Sequence, residues 1–222
     1  MIDLHLPPTT KVGKPVPKSA FYKHLEVNAR IRQHFVEDVA SICWLYKLAP
    51  STLNVADGTQ VHEIVLFLVT LKARDCPNDV FLFIDERMPR HVLFLLEYEG
   101  RCKLLLNYKE WKESTSASFQ IVKTFTTEWL PANQLQLSLE GQSMDALYEA
   151  IAGQVSGFGT SSAADTRRLI ALQEELTRKQ KLVEALQKKI RAERQFARQV
   201  EMNSEARALK REIARLKEEL EQ

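Results

Sequence analysis

The sequence predicts an α+β protein, with a mainly antiparallel sheet and flanking helices followed by a long C-terminal coiled-coil helix or helical hairpin. Three observations carry that expectation. Apolar runs rich in β-branched and aromatic residues recur before position 130, each bounded by Gly, Pro, Asn or Asp. One pair of runs flanks Glu99-Gly100, the signature of a two-residue hairpin turn. From Ala163 to Gln222 there is no Gly or Pro, and apolar residues recur at alternating three- and four-residue steps. A helix turns once per about 3.6 residues, so that spacing gathers them on one narrow face.

The chain of 222 residues has room for one domain of ordinary size and an extension, and 45% apolar residues are enough for a core. The net charge is +2, but residues 161–222 hold 15 Lys+Arg against 11 Asp+Glu. Cys43, Cys76 and Cys102 are far apart and form no CxxC pair, which argues against a disulfide framework or zinc ribbon. Cys43 and Cys102 sit in apolar runs and read as small hydrophobes. The opening residues lack the build of a signal peptide, and no apolar run approaches the roughly 20 residues of a membrane span. A cytoplasmic protein without membrane contact is expected.

Taken in order, residues 1–18 hold four of the eight prolines and read as an extended arm. Lys18 to Leu25 reads as a short helix. Asn28 is placed to cap a second, with Ile31, Phe35 and Val39 in phase. Ser41 to Tyr46 is rich in strand formers and Pro50 closes it, while Asp57-Gly58 marks a turn. Val61 to Lys72 is an apolar run that fits a strand covered on both faces. Asn78 or Asp79 can cap a helix through Met88, although DVFLFID within it fits a strand as well. His91–Tyr98 and Arg101–Tyr108 form the hairpin, and Phe119 to Phe125 supplies another strand. Gln142 to Val155, with Met144, Leu147, Ile151 and Val155 in phase and Ser143 as cap, is a helix. Small polar residues with two glycines follow. The expected organisation is therefore an arm at 1–18, an α+β domain at 19–155, a linker at 156–164 and a coiled-coil extension at 165–222.

The extension carries two apolar stripes. Leu169, Leu172, Leu176, Val183, Leu186 and Ile190 form the first, and Leu209, Ile213, Leu216 and Leu220 the second. If Asp165 caps the first helix, it can run to about Val200. Continuing its heptad puts Lys179 and Glu193 on the seam, where charged residues cost stability but set register or partner choice. The second stripe is out of phase with the first by two residues, which no standard stutter or stammer explains. Met202-Asn203-Ser204 lies near the discontinuity, so a break is expected at 202–204, as a kink or a return of the chain. Such a helix cannot bury its seam alone. The expected partner-binding residues are Leu172, Leu176, Val183, Leu186, Ile190, Leu209, Ile213 and Leu216.

Basic charge is densest between Arg178 and Arg198, where eight Lys or Arg stand against Glu184 and Glu193. Lys188, Lys189, Arg191, Arg194 and Arg198 are the candidate nucleic-acid contacts, against the plainer reading of a solvated coiled-coil face. A second candidate surface combines Tyr98, Tyr108, Trp111 and Trp129 with Lys103, Lys109, Lys112 and Lys123 near strand ends.

Catalytic signatures are sparse. His5, His24, His34, His62 and His91 are scattered with no HxH or HExxH spacing, and GxSxG and phosphate-cradling glycine patterns are absent. No metal or cofactor is implied. One metal-dependent nuclease reading uses Glu97 with Glu110 and Lys112, acids to hold Mg²⁺ and a lysine to position the attacking water. Surface charges beside a hairpin account for the same residues.

PKSAFYKHL near the start, SICWLYKLAPSTLNV, the RHVLFLLEYEGRCKLLLNYKEW hairpin and the terminal coiled coil together resemble an uncharacterised bacterial family of short α+β proteins. The resemblance spans nearly the whole chain and rests on pattern and order. Members of that family are often encoded beside helicases and DNA methyltransferases. The resemblance implies an accessory role in DNA-directed defence or a restriction-like system and transfers no functional residue. The expectation is a non-enzymatic assembly subunit that binds a protein such as a helicase or DNA methyltransferase, associates with itself through the coiled coil, or contacts DNA.

Overall fold

Residues 11–16, expected within the arm, are instead the first strand of the sheet. In a computed structural model describing residues 2, 4–22, 27–111, 119–157, 163–193 and 195–220, strand β1 (Lys11–Val16) pairs antiparallel with β2. The prolines of residues 1–18, Pro15 among them, read as an extended arm. Pairing on one side only tolerates such a proline, because an edge strand needs half the ladder. The short helix α1 is Ser19–Tyr22, and residues 23–26 of the expected helix lie outside the described residues.

Helix α2 (Ala29–Glu37) starts where the sequence requires, with the N–H of Ile31 donating to Asn28 Oδ1 at 2.8 Å. It ends at a pair of lysines. Lys18 Nζ donates to Phe35 O at 2.9 Å and Lys72 Nζ to Val36 O at 2.7 Å, which satisfies carbonyls of the last turn. Strand β2 (Val39–Leu48) follows, then a single turn α3 (Pro50–Leu53) and strand β3 (Ile64–Leu71). DVFLFID is helical, within α4 (Asp79–Arg87). Tertiary context decides that segment: α4 bridges β3 to the parallel strand β4 (His91–Tyr98), a connection that two parallel neighbours need.

The hairpin is as expected. Glu99 and Gly100 have φ of 48° and 76°, both positive as a type I′ turn demands, and β5 (Arg101–Trp111) returns antiparallel to β4. Strand β6 (Phe119–Thr126) pairs with β5, and the short β7 (Leu130–Pro131) pairs with the start of β5. Among the described residues the sheet order is β1-β2-β3-β4-β5-β6, with only β3 and β4 parallel. Helix α5 (Met144–Ser156) begins at Ser143, whose Oγ accepts the Ala146 N–H at 3.3 Å.

Both faces of the sheet are covered, which explains its continuous apolar runs. On one face Phe35, Phe81 and Phe83 pack with Phe67, Phe94 and Leu105. On the other, Leu104, Leu106 and Tyr108 alternate with that set and are buried, with Tyr108 stacked on Tyr148 of α5 at 5.6 Å.

The chain divides into two units, residues 1–163 and 164–222. The second is a helical hairpin of α6 (Ala163–Ala192) and α7 (Phe196–Leu220). The break falls between Ala192 and Phe196. Residues 202–204 lie inside α7, and the first helix stops at Ala192 short of Val200.

Candidate functional site

Each helix of the hairpin turns one heptad stripe inward. In α6, Leu169, Leu172, Leu176, Lys179, Val183, Leu186 and Ile190 are buried or half-buried, and in α7 so are Gln199, Met202, Ala206, Leu209, Ile213, Leu216 and Leu220. The α7 stripe keeps strict three- and four-residue steps through 202–204, so nothing interrupts it there. Asn203 Nδ2 donates to Gln199 O at 2.9 Å within the same helix. The two-residue phase shift arises because the chain leaves α6 at Ala192 and starts α7 at Phe196 in the opposite direction. Sequence reasoning missed this because the second heptad reaches back towards the turn through Met202 and one polar position, Gln199.

Cross-helix bonds fix the antiparallel register. Arg168 Nη2 lies 2.6 Å from Glu219 Oε1 and Lys179 Nζ lies 2.5 Å from Glu212 Oε2, while Glu175 of the same helix stands 3.3 Å from the Lys179 ammonium. The hydrogen bond to Glu212 holds the Lys179 ammonium above the ordinary lysine range and holds the Glu212 carboxyl below its own. The turn is closed by hydrogen bonds. Gln195 N–H donates to Glu193 Oε1 at 2.9 Å, and Gln199 Nε2 donates to Ile190 O at 3.2 Å and Glu193 O at 3.1 Å. Those last two satisfy carbonyls at the end of α6.

At this end of the hairpin Lys188, Lys189, Arg191 and Arg198 are exposed, while Arg194 lies outside the described residues. Beside them Phe196 is 78% exposed and Val200 is 52% exposed. The four described basic residues of that set thus stand at one end of the hairpin.

The other candidate surface does not assemble. Tyr108 and Lys109 are buried, Lys103 Nζ sits 5.0 Å from the Trp129 ring centre, and Lys112 lies outside the described residues. The nuclease acids also separate. Glu97 pairs with Cys102 at the turn end of β5, whereas Glu110 pairs with Gln120 near its other end. Cys102 and Glu110 are eight residues apart on one strand, or about 26 Å at ~3.3 Å per residue, too far to share a metal. Among the described residues no three His, Cys, Asp or Glu side chains are grouped to hold one.

A buried polar network lies where β5 meets α4 and α5. Lys109 Nζ donates to Asp85 O at 2.7 Å, Arg90 O at 2.9 Å and Met88 O at 3.2 Å, and it stands 2.6 Å from Asp85 Oδ1. An ammonium has three protons, and these four oxygens, with Asp85 Oδ1 the nearest, share them. On the opposite face Tyr148 Oη accepts the Lys109 N–H at 3.0 Å, and Tyr108 Oη donates to Glu149 at 2.8 Å. Burial pushes Asp85 up to about 6 against the pull of Lys109, and burial with the Lys109 charge pushes His91 down to about 3. His91 packs edge-on to Tyr148 at 4.5 Å and to Phe119 at 5.0 Å. Perturbed groups of this kind mark active sites, but they also mark structural ion pairs. Here the Lys109 ammonium is enclosed by oxygens of the 85–90 segment, so the network reads as a structural tie between β5 and the end of α4. It escaped sequence analysis because its members come from four separate elements.

A sequence model described as Domain of unknown function (DUF4391) matches residues 4–213. No curated protein and no solved structure matches the chain. Among the described residues no helix is long and apolar enough to cross a membrane.

Proposed function

The chain belongs to the DUF4391 family, and from its own geometry we propose a non-enzymatic accessory or assembly subunit that binds partners through the α6–α7 coiled coil. The observation that supports this is incomplete burial of the seam. Of the eight expected partner-binding residues only Val183 is fully buried, while Leu172, Leu176, Leu186, Ile190, Leu209, Ile213 and Leu216 are half-buried. In a two-helix pair each seam side chain is covered from one side, and bundles bury theirs by adding helices. A partner that adds one or two helices gains that remaining apolar area. The setting, a bacterial DNA-directed defence or restriction-like system with a helicase or DNA methyltransferase as partner, rests on the family resemblance.

The test is Leu186→Asp in the full chain, with light scattering for self-association and affinity purification from the native host for co-purifying helicase or DNA methyltransferase. The substitution is expected to abolish one or both while circular dichroism of the sheet unit persists. Unchanged mass together with unchanged co-purification overturns the proposal.

A second reading is a nucleic-acid-binding module, supported by the exposed Lys188, Lys189, Arg191 and Arg198 at one end of the hairpin. Such binding falls steeply with salt as condensed counterions are released. Absence of binding at low salt removes it.

A further inference from the structure

Phe196 is the most exposed large apolar side chain among the described residues, at 78%, against 52% for Val200 and 51% for Val36 and Leu182. A solvated phenylalanine at the start of a helix contributes nothing to the core of the hairpin, and its neighbours show that it is displayed rather than loose. The turn before it is fixed by the Glu193–Gln195 bond and by the two bonds from Gln199 Nε2 back to Ile190 O and Glu193 O. The ring therefore stands on a preorganised corner. Around it the charge has one dominant sign: Lys188, Lys189 and Arg191 come from the last turns of α6, and Arg198 from the first turn of α7.

We propose that this end of the hairpin binds single-stranded nucleic acid, with the Phe196 ring stacking on an unpaired base and Lys188, Lys189, Arg191 and Arg198 contacting the flanking phosphates. This rests on the nucleic-acid reading above and specifies its ligand. Two features favour a single strand over an acidic helix. A docking helix needs a groove that takes anchors at i, i+3, i+4 and i+7, whereas the turn displays one isolated ring with Val200 behind it. The cations come from both helices around the turn, which suits a polyanion passing over it. Aromatic rings ringed by Lys and Arg are the recurring means of holding unpaired bases without sequence preference. A duplex keeps its bases stacked and presents no free face, so the site discriminates in favour of single strands.

The test uses the full chain with a fluorescein-labelled thymidine 20-mer, its duplex with adenosine 20-mer, and a single strand carrying one 2-aminopurine. Wild type is expected to bind the single strand more tightly than the duplex, with affinity falling as salt rises, and to quench 2-aminopurine. Phe196→Ala is expected to weaken single-strand binding roughly tenfold, abolish the quenching and leave the salt slope unchanged. Lys188→Ala with Lys189→Ala is expected to reduce the salt slope while keeping residual quenching. Phe196 is exposed, so circular dichroism of its variant should match wild type. Salt-sensitive binding that Phe196→Ala leaves untouched overturns the stacking proposal and spares the nucleic-acid reading. No binding of any strand at low salt overturns both. Loss of self-association in Phe196→Ala, with strand binding unchanged, assigns this end to a contact between copies and overturns the proposal.

Discussion

Lys179 of α6 and Glu212 of α7 are 33 positions apart in sequence and 2.5 Å apart in space. A lysine on an apolar seam carries its charge out to the rim, where an acid at one level of the opposing helix meets it. The pair therefore selects one antiparallel alignment among several that leucines alone would accept. Replacing Lys179 with Leu is expected to raise the melting temperature of the helical unit and to broaden the mass distribution in light scattering, as other alignments and oligomers become accessible. A single unchanged mass would assign the register to the turn instead.

Lys109 and Asp85 give a second prediction, about ranking. Removing one member of a buried ion pair costs about 3–5 kcal/mol, and Lys109 also serves three backbone carbonyls. Lys109→Met is therefore expected at or above that range. Asp85→Asn leaves the three carbonyl bonds in place and is expected to cost less. Urea denaturation of both variants decides it, and equal costs would make the carboxylate the dominant partner.

Acid sensitivity is expected to pass through His91. Its folded pKa of about 3 lies below the ordinary 6.5 because burial penalises the charged ring. A depressed base contributes stability that is complete above its unfolded pKa and is lost as pH falls towards its folded value. Between pH 7 and pH 5 that loss is about 2 kcal/mol. Asp85 acts in the opposite direction over the same window, because burial raises its folded pKa to about 6. The comparison is thus between wild type and His91→Phe, which keeps a ring between Tyr148 and Phe119. On going from pH 7 to pH 5 the variant is expected to retain about 2 kcal/mol more of its stability than wild type retains. Parallel pH profiles would show that the ring titrates without cost.

Asp145, in the first turn of α5, gathers the loop at 59–61. Its carboxylate accepts the N–H groups of Thr59, Gln60 and Val61 and the Thr59 hydroxyl, at 2.7–3.1 Å. Burial alone raises its pKa, and these hydrogen bonds outweigh it and hold the carboxyl below the usual range. Gly58 is required beside it, because a Cβ there would overlap Val61 O and the Asp145 carboxylate. Hydrogen bonds to a charged group contribute about 1.5–3 kcal/mol each at most, so Asp145→Ala is expected to cost several kcal/mol. Hydrogen exchange at Thr59, Gln60 and Val61 should rise selectively, and uniform exchange across the sheet unit would refute a local clamp.

Much of the sheet unit was legible because its signals are local. Asn28 and Ser143 cap their helices through atoms three residues away, and Glu99-Gly100 carries its own backbone preference, so no tertiary information was needed. Where two local readings competed, at DVFLFID, the parallel pairing of β3 with β4 decided in favour of helix α4. The strand at 11–16 was hidden because its pairing partner, β2, lies some 30 residues on. Glu97 and Glu110 looked adjacent in a hairpin sequence, but a straight strand carries them to opposite ends of the sheet.

The sequence by itself determined that the C-terminal quarter is helical, that two apolar stripes run along it out of phase, and that Lys179 belongs to the seam. Those are consequences of helical period and of a stretch without Gly or Pro. Only the tertiary structure decided that the chain reverses between Ala192 and Phe196, that the second stripe covers part of the first, and that Phe196 and the described basic residues around it stand at the exposed end. A heptad records which face of a helix is apolar. It does not record the direction in which the next helix runs, because parallel and antiparallel partners bury the same leucines, and the choice falls to the turn and to charges such as Lys179 and Glu212 that meet only in three dimensions.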